Sequence, residues 1–387
     1  MNGSGRSRRA GALLALAVFF GLSGLLAAAV ARTARGAFAA SYRPAATVPR
    51  PLLEEIRVDE ALAIRDFDGD SGQLYLLDPL APAVRLLRRS GSDWVAGGPD
   101  TLLPASFGRR GGGPGEFASP TGLARLADGR IAVAEPGRIH FFTAAGIYLE
   151  SSAPVLPCAL PLPRIAAARR GLFIHGSCLR GGGRPDTMAM VLFWTADGSA
   201  VREVARDPDF TTDGSFGTAY GARAGLSEGT GYQLFGAGSS GCVFEVTQTD
   251  AAAPTARRLC EPVLRLFRLE LSAATRTSLE AARRRSPLAA GALRIPETHP
   301  PYVERVALPS GAAWLRGYSE DSLVLRAVGG NRDLAVLPYH GLLGCRRAGC
   351  LWADNSVVDG VRLRFLPMSA LDSLARTAGP ARLRDAQ

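Results

Sequence analysis

Few residues of this 387-residue chain stand at spacings that could do chemistry. Gly69-Asp70-Ser71-Gly72 matches the surroundings of a trypsin-like nucleophile. A triad also needs a positioned His and Asp, and the first His is His140. Ser71 is therefore read as a turn residue. Asp66-Phe67-Asp68-Gly69-Asp70 resembles the start of a calcium loop. An EF-type loop wants Gly at its sixth position and a bidentate Glu at its twelfth, where Ser71 and Leu77 stand here. A tight Asp-rich turn is the expectation. No catalytic residue emerges, and no cofactor is expected.

The six cysteines are Cys158, Cys178, Cys242, Cys260, Cys345 and Cys350. An even count outside the cytoplasm reads as a disulfide framework. Residues opposite each other in an antiparallel hairpin are equidistant from its turn and close enough to bridge. Cys242 and Cys260 straddle Asp250 to Pro254, and Cys158 and Cys178 straddle the run before Arg169-Arg170-Gly171. Cys345 and Cys350 flank Arg346-Arg347-Ala348-Gly349. The expected bridges are 158–178, 242–260 and 345–350. A zinc site needs four ligands at compact spacing; His140, His175, His299 and His340 are not arranged around the cysteines.

The formal charge of +10 is concentrated at one end. Residues 1–50 hold seven Arg and no acid, so the remainder has 38 Arg against 35 acids. Nucleic-acid binding requires Arg clustered on one face, and the longest run is Arg283-Arg284-Arg285. No nucleic-acid partner is expected.

Arg6, Arg8 and Arg9 precede an uncharged stretch from Ala10 to Ala31. Its length suits a membrane-spanning helix of about 20 residues. Ala29-Val30-Ala31 and Ala37-Phe38-Ala39 also fit small-x-small cleavage sites. Anchor and cleaved signal both place the rest of the chain outside the cytoplasm, because the leading arginines stay inside. The expected divisions are an anchor or signal over 1–40, a linker over 41–51, a folded domain over 52–368 and a tail over 369–387.

The elements that must position any site come from a recurring unit, a Gly-containing turn followed by an apolar strand. It is read at Gly72–Asp78, Gly129–Glu135 and Gly171–His175, with weaker copies at Gly231–Phe235, Gly311–Leu315 and Gly349–Ala353. The copies lie 38 to 80 residues apart, near one four-stranded blade each. Second and third strands follow, as at Arg138–Phe142 and Ile147–Glu150. An all-β, six-bladed propeller of four-stranded antiparallel blades is expected, with a helical insertion over about 272–285 and a short helix near Ser369–Arg376. Trp94, Trp194, Trp314 and Trp352 are assigned to packing between blades.

One segment is more specific. Phe107-Gly-Arg-Arg-Gly-Gly-Gly-Pro-Gly-Glu-Phe117 leads into Ala118-Ser-Pro120, then Asp128-Gly129, a strand ending at Glu135, and Arg138-Ile139. This resembles a blade of the NHL-repeat-like six-bladed β-propellers, of the bacterial envelope type, over about 52–368. The resemblance marks Gly111, Gly113, Pro114, Gly115, Glu116, Phe117 and Pro120 as a motif loop. Gly can take positive φ there, Pro120 sets the strand's entry, and Phe117 can plug between blades. Phosphate cradling needs a helix N-terminus after such a loop, and a strand follows instead.

Two functions are then open. A propeller face gathers many loops around one axis, which suits binding or scaffolding of an envelope protein, peptide or glycan. The alternative is a metal-dependent, lactonase-like hydrolase or lyase. It would hold a divalent cation in the channel, with Glu116, Asp128, Asp354 and Asn355 as candidate oxygen donors.

Overall fold

The computed structural model describes residues 53–377, apart from 59–60, 62, 98–103, 161, 180–187, 208–224, 229–232, 237–241, 250–252, most of 261–303, 318–321, 328–332, 339–340 and 355–359. The chain divides into two units, Met1–Pro44 and Ala45–Gln387, and only the second holds described residues. The expected N-terminal helix, membrane anchor and linker thus lie outside the described residues. No helix among the described residues is long and apolar enough to cross a membrane.

Among the described residues the strands form six separate antiparallel sheets. Sheet I holds Asp66–Gly69, Gln73–Asp78, Ala83–Ser90 and Asp93–Ala96, with Ser106–Phe107 added beside its third strand. Sheet II holds Gly122–Arg125, Ile131–Glu135, Arg138–Phe142 and Tyr148–Ser152. Sheet III holds Arg164–Ala167, Leu172–Leu179, Met188–Thr195 and Arg202–Asp207. Sheet IV holds Gly225–Glu228, Gln233–Gly236, Cys242–Thr247 and Thr255–Cys260. Sheet V holds Glu304–Leu308, Gly311–Gly317, Ser322–Ala327 and Asp333–Pro338. Sheet VI holds Leu342–Arg346, Gly349–Asp354 and Val361–Pro367, and its outermost strand is Glu54–Val58. Each of the repeat units read from the sequence falls on the second strand of its own sheet.

The first strands touch one another in order, I to II to III and IV to V to VI, and VI returns to I; sheets III and IV meet through the second strand of III. These first strands are the inner strands of a ring, and the fold is an all-β propeller.

The packing explains why the strands are so apolar. Successive side chains of a strand point to opposite faces. In sheet I, Leu74 and Leu76 pack toward sheet VI with Leu351, Leu363 and Phe365. Tyr75 and Leu77 pack the other way, with Leu123, Ile131 and Val133 of sheet II. Sheets II and III share a core that includes Phe141 and Ile174, and III and IV share one around Phe173 and Val246. Sheets V and VI bury Leu315, Leu325 and Trp352 together. A strand sandwiched this way reads as a near-continuous apolar run rather than a half-polar one.

Ring closure joins the two ends of the described chain. Glu54–Val58 pairs antiparallel with Val361–Pro367, Ile56 opposite Leu363. Glu54 Oε2 then accepts from Trp94 Nε1 at 2.9 Å and from the Arg89 guanidinium, both in sheet I. Trp94 also meets Phe365 edge-on, with ring centroids 5.8 Å apart.

The helix Met368–Thr377 follows the last strand. Leu371 is buried in the core shared by sheets V and VI. Asp372 accepts from Ser310 N at 2.8 Å. In the expected insertion, the described residues Ala273, Arg276, Thr277, Glu280, Ala281 and Arg284 are helical.

All six cysteines pair, 158–178, 242–260 and 345–350. Cys242 lies directly opposite Cys260, and Cys345 opposite Cys350. The first bridge departs from the hairpin geometry expected for it. Cys178 faces Ala189 in the ladder, while Cys158 lies ahead of the strand Arg164–Ala167. This bridge ties an incoming loop to a strand, with Cα atoms 5.6 Å apart.

Candidate functional site

The inner strands of sheets I, II, III, V and VI carry the most heavily charged buried cluster among the described residues. Asp66 and Asp68 alternate along the inner strand of sheet I, so both point the same way. They do not form the tight Asp-rich turn expected from the sequence but lie on a strand. Asp66 Oδ1 accepts from Phe67 N at 3.0 Å, and Oδ2 from Leu123 N of sheet II at 3.1 Å. Arg346 Nη2, from sheet VI, adds bonds of 2.9 and 3.2 Å to the two oxygens. Asp68 accepts from Gly69 N and from Arg125 N of sheet II, each at 2.7 Å. The two carboxylates therefore lash the inner strand of sheet I to its neighbours on either side. Only Asp70 makes the turn, accepting from Gly72 N at 2.9 Å and Gln73 N at 3.0 Å and pairing with Arg125.

Around these carboxylates stand more cations than anions. Arg164 Nη1, at the start of the sheet III inner strand, is 3.9 Å from Asp66 Oδ1. Arg65 precedes Asp66 and is held by Arg65 N donating to Leu77 O at 2.9 Å. His175 lies opposite Arg164 in the ladder of sheet III. Arg305, on the inner strand of sheet V, is fully buried.

The electrostatics follow from crowding like charges in little solvent. Burial, then the Arg164 charge, lowers Arg65 from its ordinary value, while Asp66 opposes them. Burial holds His175 well below its usual value, and Arg346, Arg164 and Arg305 push the same way. Burial raises Asp68 despite Arg346 and its two N–H donors. Burial would raise Asp70 too, but its backbone and Arg125 hydrogen bonds outweigh that and lower it.

A missing side chain lets two of the inner strands approach closely. A Cβ on Gly122 would fall 2.9 Å from both Arg164 Cα and Ile165 N. Gly122 thus brings the inner strand of sheet II against that of sheet III.

The motif loop lies outside this cluster and is built as a brace. Glu116 accepts from Arg109 Nε at 2.8 Å and from Gly113 N at 2.9 Å. A Cβ on Gly111 would fall 2.0 Å from Glu116 Oε2, so the carboxylate occupies the space that Gly leaves. Gly115 takes φ +72°. Phe117 is fully buried between sheets I and II, edge-on to His140 and Phe142 at 5.5 and 5.6 Å. Pro120 is buried where the chain enters sheet II.

Three of the four candidate metal donors lie among the described residues. Glu116 is spent in its loop, Asp128 binds Arg130 on an exposed turn, and Asp354 ends the second strand of sheet VI. Asn355 lies outside the described residues. Among the described residues, no three of His, Cys, Asp or Glu gather as a metal-binding group. Asp66 and Asp68 fit a cation poorly. Their oxygens already accept from N–H groups, and arginines surround them. Ser71 is an exposed turn residue whose carbonyl accepts from Arg89 Nε at 3.1 Å. Of the tryptophans, Trp352 donates to Pro338 O at 2.9 Å between sheets VI and V. Trp194 donates to Arg170 O at 2.8 Å and packs against the core shared by sheets III and IV.

No protein-family model matches the chain, and no curated protein matches it. Among solved structures it is similar to an exported protein from Bacteroides fragilis, 10% identical, over 81% of this chain and 94% of that one, with a TM-score of 0.47. It is also similar to a calcium-binding protein, regucalcin, from Agrobacterium tumefaciens, 12% identical, over 80% and 94%, with a TM-score of 0.43. A third is virginiamycin B lyase from Staphylococcus aureus, 11% identical, over 81% and 99%, with a TM-score of 0.40.

Proposed function

We propose that this chain is a six-bladed, NHL-like propeller working outside the cytoplasm as a binding or scaffold module for an envelope protein, peptide or glycan. The N-terminal apolar segment holds it at the membrane or, if cleaved, releases it. Three disulfides support an oxidising compartment.

One observation carries the reading. Arg346 and Arg164 stand at the buried Asp66, whose acceptor positions are taken, with Arg65 next to it in the chain, Arg125 paired to Asp70 and Arg305 buried on the inner strand of sheet V. Guanidinium is always charged and cannot serve as a general base. It excels at geometric recognition of acceptor groups. Such a face is made for holding a ligand rather than for activating water.

The test is a screen of the purified full chain against envelope glycans and peptides, run with and without a chelator. A saturable ligand whose affinity ignores the chelator supports binding. Metal-dependent turnover of a lactone or ester by the same preparation favours the hydrolase instead.

A further inference from the structure

We propose that the inner face between sheets I and III is an oxyanion site, where the Arg65 and Arg164 guanidiniums grip a carboxylate, phosphate or sulfate group of the ligand. This inference rests on the binding reading and specifies its chemistry.

The argument begins with the capacity of Asp66. An ionised carboxylate offers about four acceptor positions. Two backbone N–H groups and the two bonds from Arg346 already use them. Arg164 is left at 3.9 Å, an ion pair without a hydrogen bond. The Arg65 side chain makes no hydrogen bond among the described residues. Both side chains are only partly buried, that of Arg164 being 32% exposed. They therefore combine unspent donors, an approach from solvent and a charge excess that Asp66 alone does not balance.

Arginine forks match oxyanions bidentately, and such charge-assisted bonds are the stronger kind. Arg164 comes within 3.9 Å of the Asp66 carboxylate and Arg65 is its neighbour in the chain, so both guanidiniums belong to the surroundings of one carboxylate whose acceptor positions are taken. The Arg164 charge acts against Arg65, and an anion held between them would relieve that repulsion. His175 lies opposite Arg164 in the ladder, and burial holds it well below its ordinary value, so it adds no charge of its own beside Arg164 at neutral pH.

The experiment titrates the full chain calorimetrically with sodium phosphate, sodium sulfate and sodium acetate, against sodium chloride at equal ionic strength. Saturable binding of at least one oxyanion, with chloride inert, is the expected result. The strongest binder identifies the class. Arg65→Gln and Arg164→Gln each lose two to three charge-assisted bonds and should weaken binding about tenfold or more. Arg130→Gln, on the exposed turn with Asp128, should leave it unchanged. Equal response to chloride, or equal affinity in wild type and both Gln variants, overturns the site. Where a Gln variant does not fold, the wild-type titration decides alone, and absence of saturable oxyanion binding counts against the proposal. A glycan or peptide ligand that binds both Gln variants as tightly as wild type would remove this site while leaving the binding role standing.

Discussion

Arg346 Nη2 donates to both carboxylate oxygens of Asp66, at 2.9 and 3.2 Å, across 280 residues of sequence. The pair joins the inner strand of sheet VI to that of sheet I and is almost wholly buried, with side-chain exposures of 6% and 2%. Removing one partner strands the other charge, which costs roughly 3–5 kcal/mol in buried pairs. Asp66→Asn should fall at the lower end, because it keeps some acceptors. Urea unfolding of Asp66→Asn and of Asp66→Asn/Arg346→Met measures this. The double variant should regain part of the loss. A single variant as stable as wild type would deny the pair its role in closing the ring.

Two glycines that open the repeat units separate backbone strain from crowding. Gly129 and Gly171 take φ of +86° and +80°. A Cβ at Gly129 meets nothing within 4 Å, whereas one at Gly171 would lie 2.1 Å from Thr195 O. Gly129→Ala should therefore cost only the left-handed penalty, about 1–2 kcal/mol. Gly171→Ala must also displace a backbone carbonyl and should cost clearly more. Thermal unfolding of both variants checks the order, and equal shifts would contradict it.

The bridges close loops of different length, with sequence separations of 20, 18 and 5. Loop-closure entropy gives about 3 kcal/mol for each of the first two and about 2 kcal/mol for the third. Paired Cys→Ala variants, compared by urea midpoint, should follow that ranking. Peptide mapping under non-reducing conditions should recover the same pairs, and any crossed pair would refute the assignment.

Acid should weaken the fold before the carboxylates titrate. His175 is held well below its ordinary value, chiefly by burial, and burial lowers His140 as well. In the unfolded chain both regain values near 6.5. Below that pH the unfolded chain binds more protons, so stability falls as pH drops toward the folded values. One such group contributes at most about 1.4 kcal/mol per pH unit. Glu135 and Asp372 sit below their usual values, because hydrogen bonds outweigh burial, and their share is lost at lower pH still. His175→Gln should flatten the slope just below pH 6.5 in a series of urea melts. An unchanged slope would show that His175 is not buried neutral.

The second strand of every sheet was legible because a turn glycine and an apolar run announce it, as at Gly129 before Ile131–Glu135. The inner strands were not. Asp66–Gly69, Gly122–Arg125 and Arg164–Ala167 are each four residues long and mix charge with apolar side chains. Asp66 and Asp68 were misread as a turn because their partners, Leu123 N, Arg125 N and Arg346, are remote in sequence. The spacing of Asp66 and Asp68 was the available signal, since alternation places two carboxylates on one face of a strand. Nothing local marks Arg164 or Arg346 as their neighbours; only ring closure brings them there. The cysteine pairs were legible where a hairpin sets the register. For Cys158 the partner followed from the spacing, but its place in a loop did not.

The most direct measurement is the divalent metal content of the full chain after equilibration with calcium, magnesium and zinc and removal of free ions. A binding face of hydrogen-bonded carboxylates and arginines predicts far less than one metal ion per chain. One tightly held ion per chain, lost in Asp66→Asn or Asp68→Asn, would contradict the account and place a metal centre on the inner strands.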